Sequence, residues 1–181
     1  MLLKRGTLGL CVLGAAILGV AGSADAVSMS TLLGMAPNNV IVVGNTVYSN
    51  FTYGGVTPAS DVEVSTATDA SGNQTLSFTT TTSGWTTPNG SSQIGYDVTL
   101  TGASVSSAAL GFTATATGGA AAFVGETITD SVNNKNYSLQ VYTDGLGNST
   151  PNTTTADINP AAAQFHLLKS IDVAAGPTPG T

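Results

Sequence analysis

The apolar residues of this chain recur at every second position in short runs, and that period decides what the chain can fold into. Ile94, Tyr96, Val98 and Leu100 alternate with Gly95, Asp97 and Thr99, which puts one set on each face of an extended strand. Val40-Ile41-Val42-Val43 leads to Val47, Phe51 and Tyr53, which share a face in the same way, followed by Val62, Val64 and Thr66, then Leu76, Phe78 and Thr80. Leu110, Phe112, Ala114 and Ala116 come next, then Phe123 to Ile128 and Tyr137 to Thr143. Phe165 to Val173 alternates well enough for a last strand, although a helical turn also fits there.

Turn formers separate these runs. Asp69-Ala70-Ser71-Gly72-Asn73 makes Asp61 to Thr82 a hairpin, Thr86 to Gly90 is a loop, Gly118-Gly119 is a break, and Asp144 to Pro160 reads as a polar loop containing Pro151 and Pro160. No amphipathic helix of full length and no internal repeat of fixed period is visible. The pattern predicts an all-β fold, a single antiparallel β-sandwich, jelly-roll-like, with about eight strands over residues 40–176.

Lys4 and Arg5, an apolar run from Leu8 to Ala21 and then Ala24-Asp25-Ala26 match the three regions of a secretory signal peptide over residues 1–26, with cleavage after Ala26. The run is shorter than the roughly 18 apolar residues of a membrane span, which argues against an uncleaved anchor. Cys11 is the only cysteine. It lies inside the apolar run, after Leu10 and before Val12-Leu13, so it is not placed for lipid attachment and leaves with the leader. The exported chain then has neither a disulfide framework nor a reactive thiol.

Residues 27–39 form a lead and 177–181 a tail. Beyond Ala26 the only basic residues are Lys135 and Lys169, against nine carboxylates from Asp61 to Asp172. No basic patch can form, so nucleic acid and anionic membrane surfaces are not expected as partners. The chain contains 28 Thr and 18 Ser, which suits strands with uncharged polar faces and leaves solubility to hydroxyls and amides. Asn-x-Ser/Thr triplets begin at Asn50, Asn73, Asn89, Asn136, Asn148 and Asn152, and in so hydroxyl-rich a chain such triplets also arise by chance.

Gly44-Asn45-Thr46-Val47-Tyr48-Ser49-Asn50-Phe51-Thr52-Tyr53 resembles the early "GD-x-x-F-S-x-F-x-Y/F" segment of bacterial PEP-CTERM proteins, the substrates of exosortase. Leu76-Ser77-Phe78, Trp85 and Ile94-Gly95-Tyr96-Asp97-Val98 follow in the order of that family's "L-x-F…W…I-x-Y-x-V" core. Glu126-Thr127 resembles its "E-T" strand, and Leu167 to Gly176 its closing strand. The resemblance implies an exported β-sandwich of biofilm-forming, exopolysaccharide-producing Gram-negative bacteria. The family's Val-Pro-Glu-Pro signal, apolar helix and basic tail are not found in Gly176 to Thr181, so exosortase handling is not carried over.

Candidate sites are few. His166 is the single histidine and would face away from Phe165 and Leu167, as a surface residue; a Ser-His-Asp device needs a nucleophile beside it, and no Gly-x-Ser-x-Gly elbow is present. Asp61 and Glu63 share a strand face, read as solvated opposite Val62 and Val64, while Glu126, among Val124 to Ile128, is the better single candidate for carboxylate catalysis if it points inward. Asp144-Gly145-Leu146-Gly147-Asn148 resembles half of a calcium loop through Asp144 and Asn148, but lacks the upstream carboxylate and the bidentate Glu. It reads as a turn, as does Asp69 to Asn73, and no metal or cofactor is expected. For stacking on sugar rings the candidates are Trp85, in a Gly/Thr/Pro loop, and Tyr48 and Tyr142 on outward strand positions; the competing reading is that Trp85 closes one end of the core. The expected function is that of a secreted structural or interaction protein of an exopolysaccharide or biofilm matrix, without catalytic activity. A carbohydrate-binding module and a small carboxylate-dependent glycan hydrolase are the alternatives.

Overall fold

The computed structural model describes residues 11–13, 26–81, 85, 90–112, 120–144 and 153–174. The alternating runs become strands of two six-stranded sheets facing one another. In chain order the elements are β1 (Cys11–Leu13), β2 (Val27–Ser28), α1 (Met29–Gly34), β3 (Ile41–Val43), β4 (Thr46–Gly55), a 3-10 turn (Ala59–Asp61), β5 (Val62–Thr68) and β6 (Gln74–Thr80). There follow β7 (Gly90–Leu100), β8 (Val105–Phe112), β9 (Ala121–Asp130), β10 (Lys135–Asp144), β11 (Thr153–Ala162) and β12 (Gln164–Ala174). The first sheet has the order β11-β8-β1-β6-β5-β2 and the second β10-β9-β12-β7-β4-β3. The chain is therefore an all-β sandwich.

Alternation places the core as the sequence predicts along most strands. Ile94, Tyr96, Val98 and Leu100 of β7 are buried with Phe165, Leu167 and Ile171 of β12, and Val62, Val64, Leu76, Phe78 and Leu110 answer from the facing sheet. Tyr96 is at the centre, with Phe51 stacked at a ring separation of 5.8 Å and Phe78 tilted at the same distance, within the range of favourable aromatic pairs. The Asp61 to Thr82 hairpin forms as β5 and β6, and Phe165 to Val173 lies within β12 as strand rather than helical turn.

Four features depart from the sequence expectation. The register of β4 on β7 shifts between Ser49 and Thr52, and Asn50 takes φ 54°. One extra residue reverses the parity of a strand, so Thr46 and Tyr48 share the inward side with Phe51 while Val47 does not. Residues 153–160, expected within a loop, belong to edge strand β11 (Thr153–Ala162). It escapes detection because only Ile158 and Ala162 of its ten residues are buried, and Pro160 falls where the pairing with β8 slips, a position at which proline removes no ladder bond. The lead holds a short helix, α1, whose N-cap Ser28 accepts a bond from Thr31 N and whose Met29 and Leu32 enter the core. It packs on β4 of one sheet and β5 of the other, closing one open side.

Cys11–Leu13, inside the expected leader, runs parallel to both β6 and β8 and bridges them. Every other strand pair among the described residues is antiparallel. Ala114, Ala116, Gly118-Gly119 and the tail 177–181 lie outside the described residues.

Candidate functional site

Most outward positions of the second sheet are uncharged, with Asp97 and Asp172 as acidic exceptions. Thr52 on β4, Gln93 on β7, Thr127 on β9 and Ser138 and Gln140 on β10 are all exposed. Across one end of this face runs a straight row of four residues, one per strand. Tyr142 pairs with Phe123, Phe123 with Asp172, and Asp172 with Ser91. The row borders a shallow depression of about 450 Å³.

Phe123 and Asp172 are set by their neighbours. A Cβ on Gly125 would stand 3.2 Å from Phe123 Cε1, so the bare glycine gives the ring room to lie along the strand. Asp172 accepts a 2.9 Å hydrogen bond from Ser170 Oγ, which fixes its carboxylate. Tyr142 is 41% exposed. Two aromatic rings beside a carboxylate and a hydroxyl suit a ligand with apolar C–H faces and hydroxyl edges, because ring faces stack on the former and oxygens hydrogen-bond the latter.

A second row crosses the same face. His166 Nδ1 lies 2.7 Å from Asp97 Oδ1, its direct partner across β12 and β7, and Asn50 Nδ2 donates to Asp97 Oδ2 at 2.7 Å. His166 is thus exposed, as its alternation predicts, and held by a carboxylate. The bulge in β4 is what brings Asn50 to Asp97.

The remaining candidates separate. Tyr48, expected outward, is fully buried near Tyr96. The β4 bulge corrects its parity and removes it from any surface site. Trp85 is partly buried and packs against the core, the core-closing arrangement. Glu126 does point inward, but its carboxylate has no solvent exposure and meets Lys169 Nζ at 2.5 Å, so a glycan in solvent does not reach it. Asp61 and Glu63 flank buried Val62 at the start of β5. Asp144 ends β10, while Asn148, its partner in the half calcium loop, lies outside the described residues. Among the described residues no three His, Cys, Asp or Glu side chains cluster as a metal site, and no helix is long and apolar enough to cross a membrane.

Sequence reasoning finds Tyr142 but misses Phe123, Asp172 and Ser91 as its companions. Each stands at an outward parity that alternation gives, yet which strands are neighbours, and in what register, is not written in spacing. No protein-family model, curated protein or solved structure matches the chain.

Proposed function

We propose that this chain is an exported, non-catalytic structural protein of an extracellular matrix, held to exopolysaccharide by the Tyr142, Phe123, Asp172 and Ser91 row. The observation that carries the reading is that row, set at one end of a face rich in hydroxyls and amides. A neutral polymer of sugar rings offers both the stacking faces and the hydroxyl edges which such a surface takes. Export rests on the basic, apolar and small-residue order of residues 1–26, and the likeness to PEP-CTERM segments points to the same setting.

The test is retention on the exopolysaccharide of a native culture, with the protein followed through medium, envelope and matrix by antibody and intact mass. Wild type is expected in the matrix fraction with Val27 as its first residue. Tyr142→Ala is expected to lower retention up to about tenfold, the worth of one good aromatic contact. Unchanged retention of that variant removes the row from the reading, and protein found only in the free medium removes the matrix.

A compact saccharide-binding module is the second reading, favoured by a depression volume of about 450 Å³, within the range of small-ligand sites. Saturable calorimetric binding of a short oligosaccharide separates it from attachment to polymer alone.

A further inference from the structure

Lys169 and Glu126 play no part in the proposed function, and their placement is costly. They are direct partners across β12 and β9, both side chains have no solvent exposure, and Nζ lies 2.5 Å from Oε2. Glu126 Oε1 has no hydrogen-bond partner among the described residues. An ion pair taken out of water recovers its desolvation only when further hydrogen bonds satisfy its remaining protons and lone pairs. This one leaves a carboxylate oxygen bare between Val124 and Ile128, Leu167 and Ile171, all of them buried.

We propose that the pair is a site of covalent modification, in which Lys169 Nζ and Glu126 Cδ condense to an isopeptide bond stapling β9 to β12. Side chains directly opposite on antiparallel strands have Cβ atoms about 5 Å apart, a span the linked Lys and Glu side chains cover with slack. The step balances within the pair. Starting from ammonium and carboxylate, one proton passes from Nζ to Oε2 along their contact. The freed nitrogen lone pair attacks Cδ, a second proton moves from nitrogen to Oε2, the Cδ–Oε2 bond breaks, and Oε2 departs as water. One N–H stays on the amide, Oε1 becomes its carbonyl oxygen, and no oxidant or co-reactant enters. Both buried charges disappear, and with them the cost of holding them out of water. The staple would join two strands of a chain whose only cysteine is Cys11, and so would supply a crosslink without a disulfide.

The experiment is peptide mapping by mass spectrometry of the full-length wild-type protein, unfolded and then digested. The expected result is one branched peptide joining the segments that contain Glu126 and Lys169, lighter than the two linear peptides together by one water, about 18 Da. Lys169→Arg is expected to abolish it. Because the decisive reading is on wild type, it does not depend on a variant folding. Two linear peptides at full mass, with Lys169 open to an amine reagent after unfolding, overturn the proposal, as does a water loss that maps to any other residue.

Discussion

Asp69 and Asp130 fix the tips of two hairpins in the same manner. Asp69 Oδ1 accepts from Ser71 N and Asn73 N at 2.8 Å, and Oδ2 from Asn73 Nδ2. Asp130 Oδ1 accepts from Val132 N and Asn133 N, and Oδ2 from Asn133 Nδ2. In each a short acidic side chain replaces the missing backbone partners of a turn. Partial burial acts to raise the Asp69 carboxyl, but the hydrogen bonds from Asn73, Ser71 and Gly72 outweigh it and hold the group below its ordinary 3.8. A carboxyl lowered on folding stabilises the protein above its unfolded value and loses that contribution as pH falls through the folded one. Asp69→Asn, which keeps the shape and removes the charge, is therefore expected to cost about a few tenths of a kcal/mol near neutrality, small because the site is near the surface. Denaturant midpoints measured from pH 7 to pH 2 should show the gap to wild type closing below about pH 4. The hairpin turn is legible in Asp69 to Asn73. The burial of Asn73, the first residue of an Asn-x-Thr triplet, is not.

The single residue inserted in β4 decides which side chains of the opening strand enter the core. Upstream of it Thr46 and Tyr48 are buried, and downstream Phe51 is; without the insertion these two sets could not face the same way. Deleting Asn50 restores strict alternation and must drive one set outward. The expected outcome is a loss of about 3 kcal/mol or more, the scale of removing a buried aromatic, read as a lower denaturant midpoint together with a weakened near-ultraviolet tyrosine signal. Asn50 also donates to Asp97, so the variant Asn50→Ala, which keeps the chain length, is the control and should fall much less. A bulge is invisible to a period-two reading because both halves of β4 look regular on their own. Strand β7 has no such insertion, and there the alternation of Ile94 to Leu100 gives the buried face directly. Edge strand β11 fails for the opposite reason, since two buried positions in ten residues leave too little alternation to detect.

At the scale of the whole molecule, the first sheet is continuous only because Cys11–Leu13 bridges β6 and β8. A chain that begins at Val27 lacks that bridge. Amides of Leu76 and Ser77 in β6 and of Gly111 and Phe112 in β8, which lie in register with it, are expected to exchange faster in that shorter chain than in the full one. Hydrogen-deuterium exchange followed by peptide mass checks this, and equal protection in the two chains would show that the sheet of the shorter chain closes by another route. The fold class was legible because alternation and turn formers are local. The order of strands was not, because β12 reaches back over residues 90–130 to pair with both β7 and β9.

That reach sets a clock. The second sheet has no centre until residues 164–174 are available, and contacts so distant along the chain form late and slowly. During synthesis at about 5–20 residues per second, β7 can pair with β4 and β9 with β10, but the ribosome has nearly finished before β12 can join the two pairs. Until then the β4–β7 and β9–β10 pairs lie on either side of an unfilled gap, and the second sheet is completed only once its last strand has arrived.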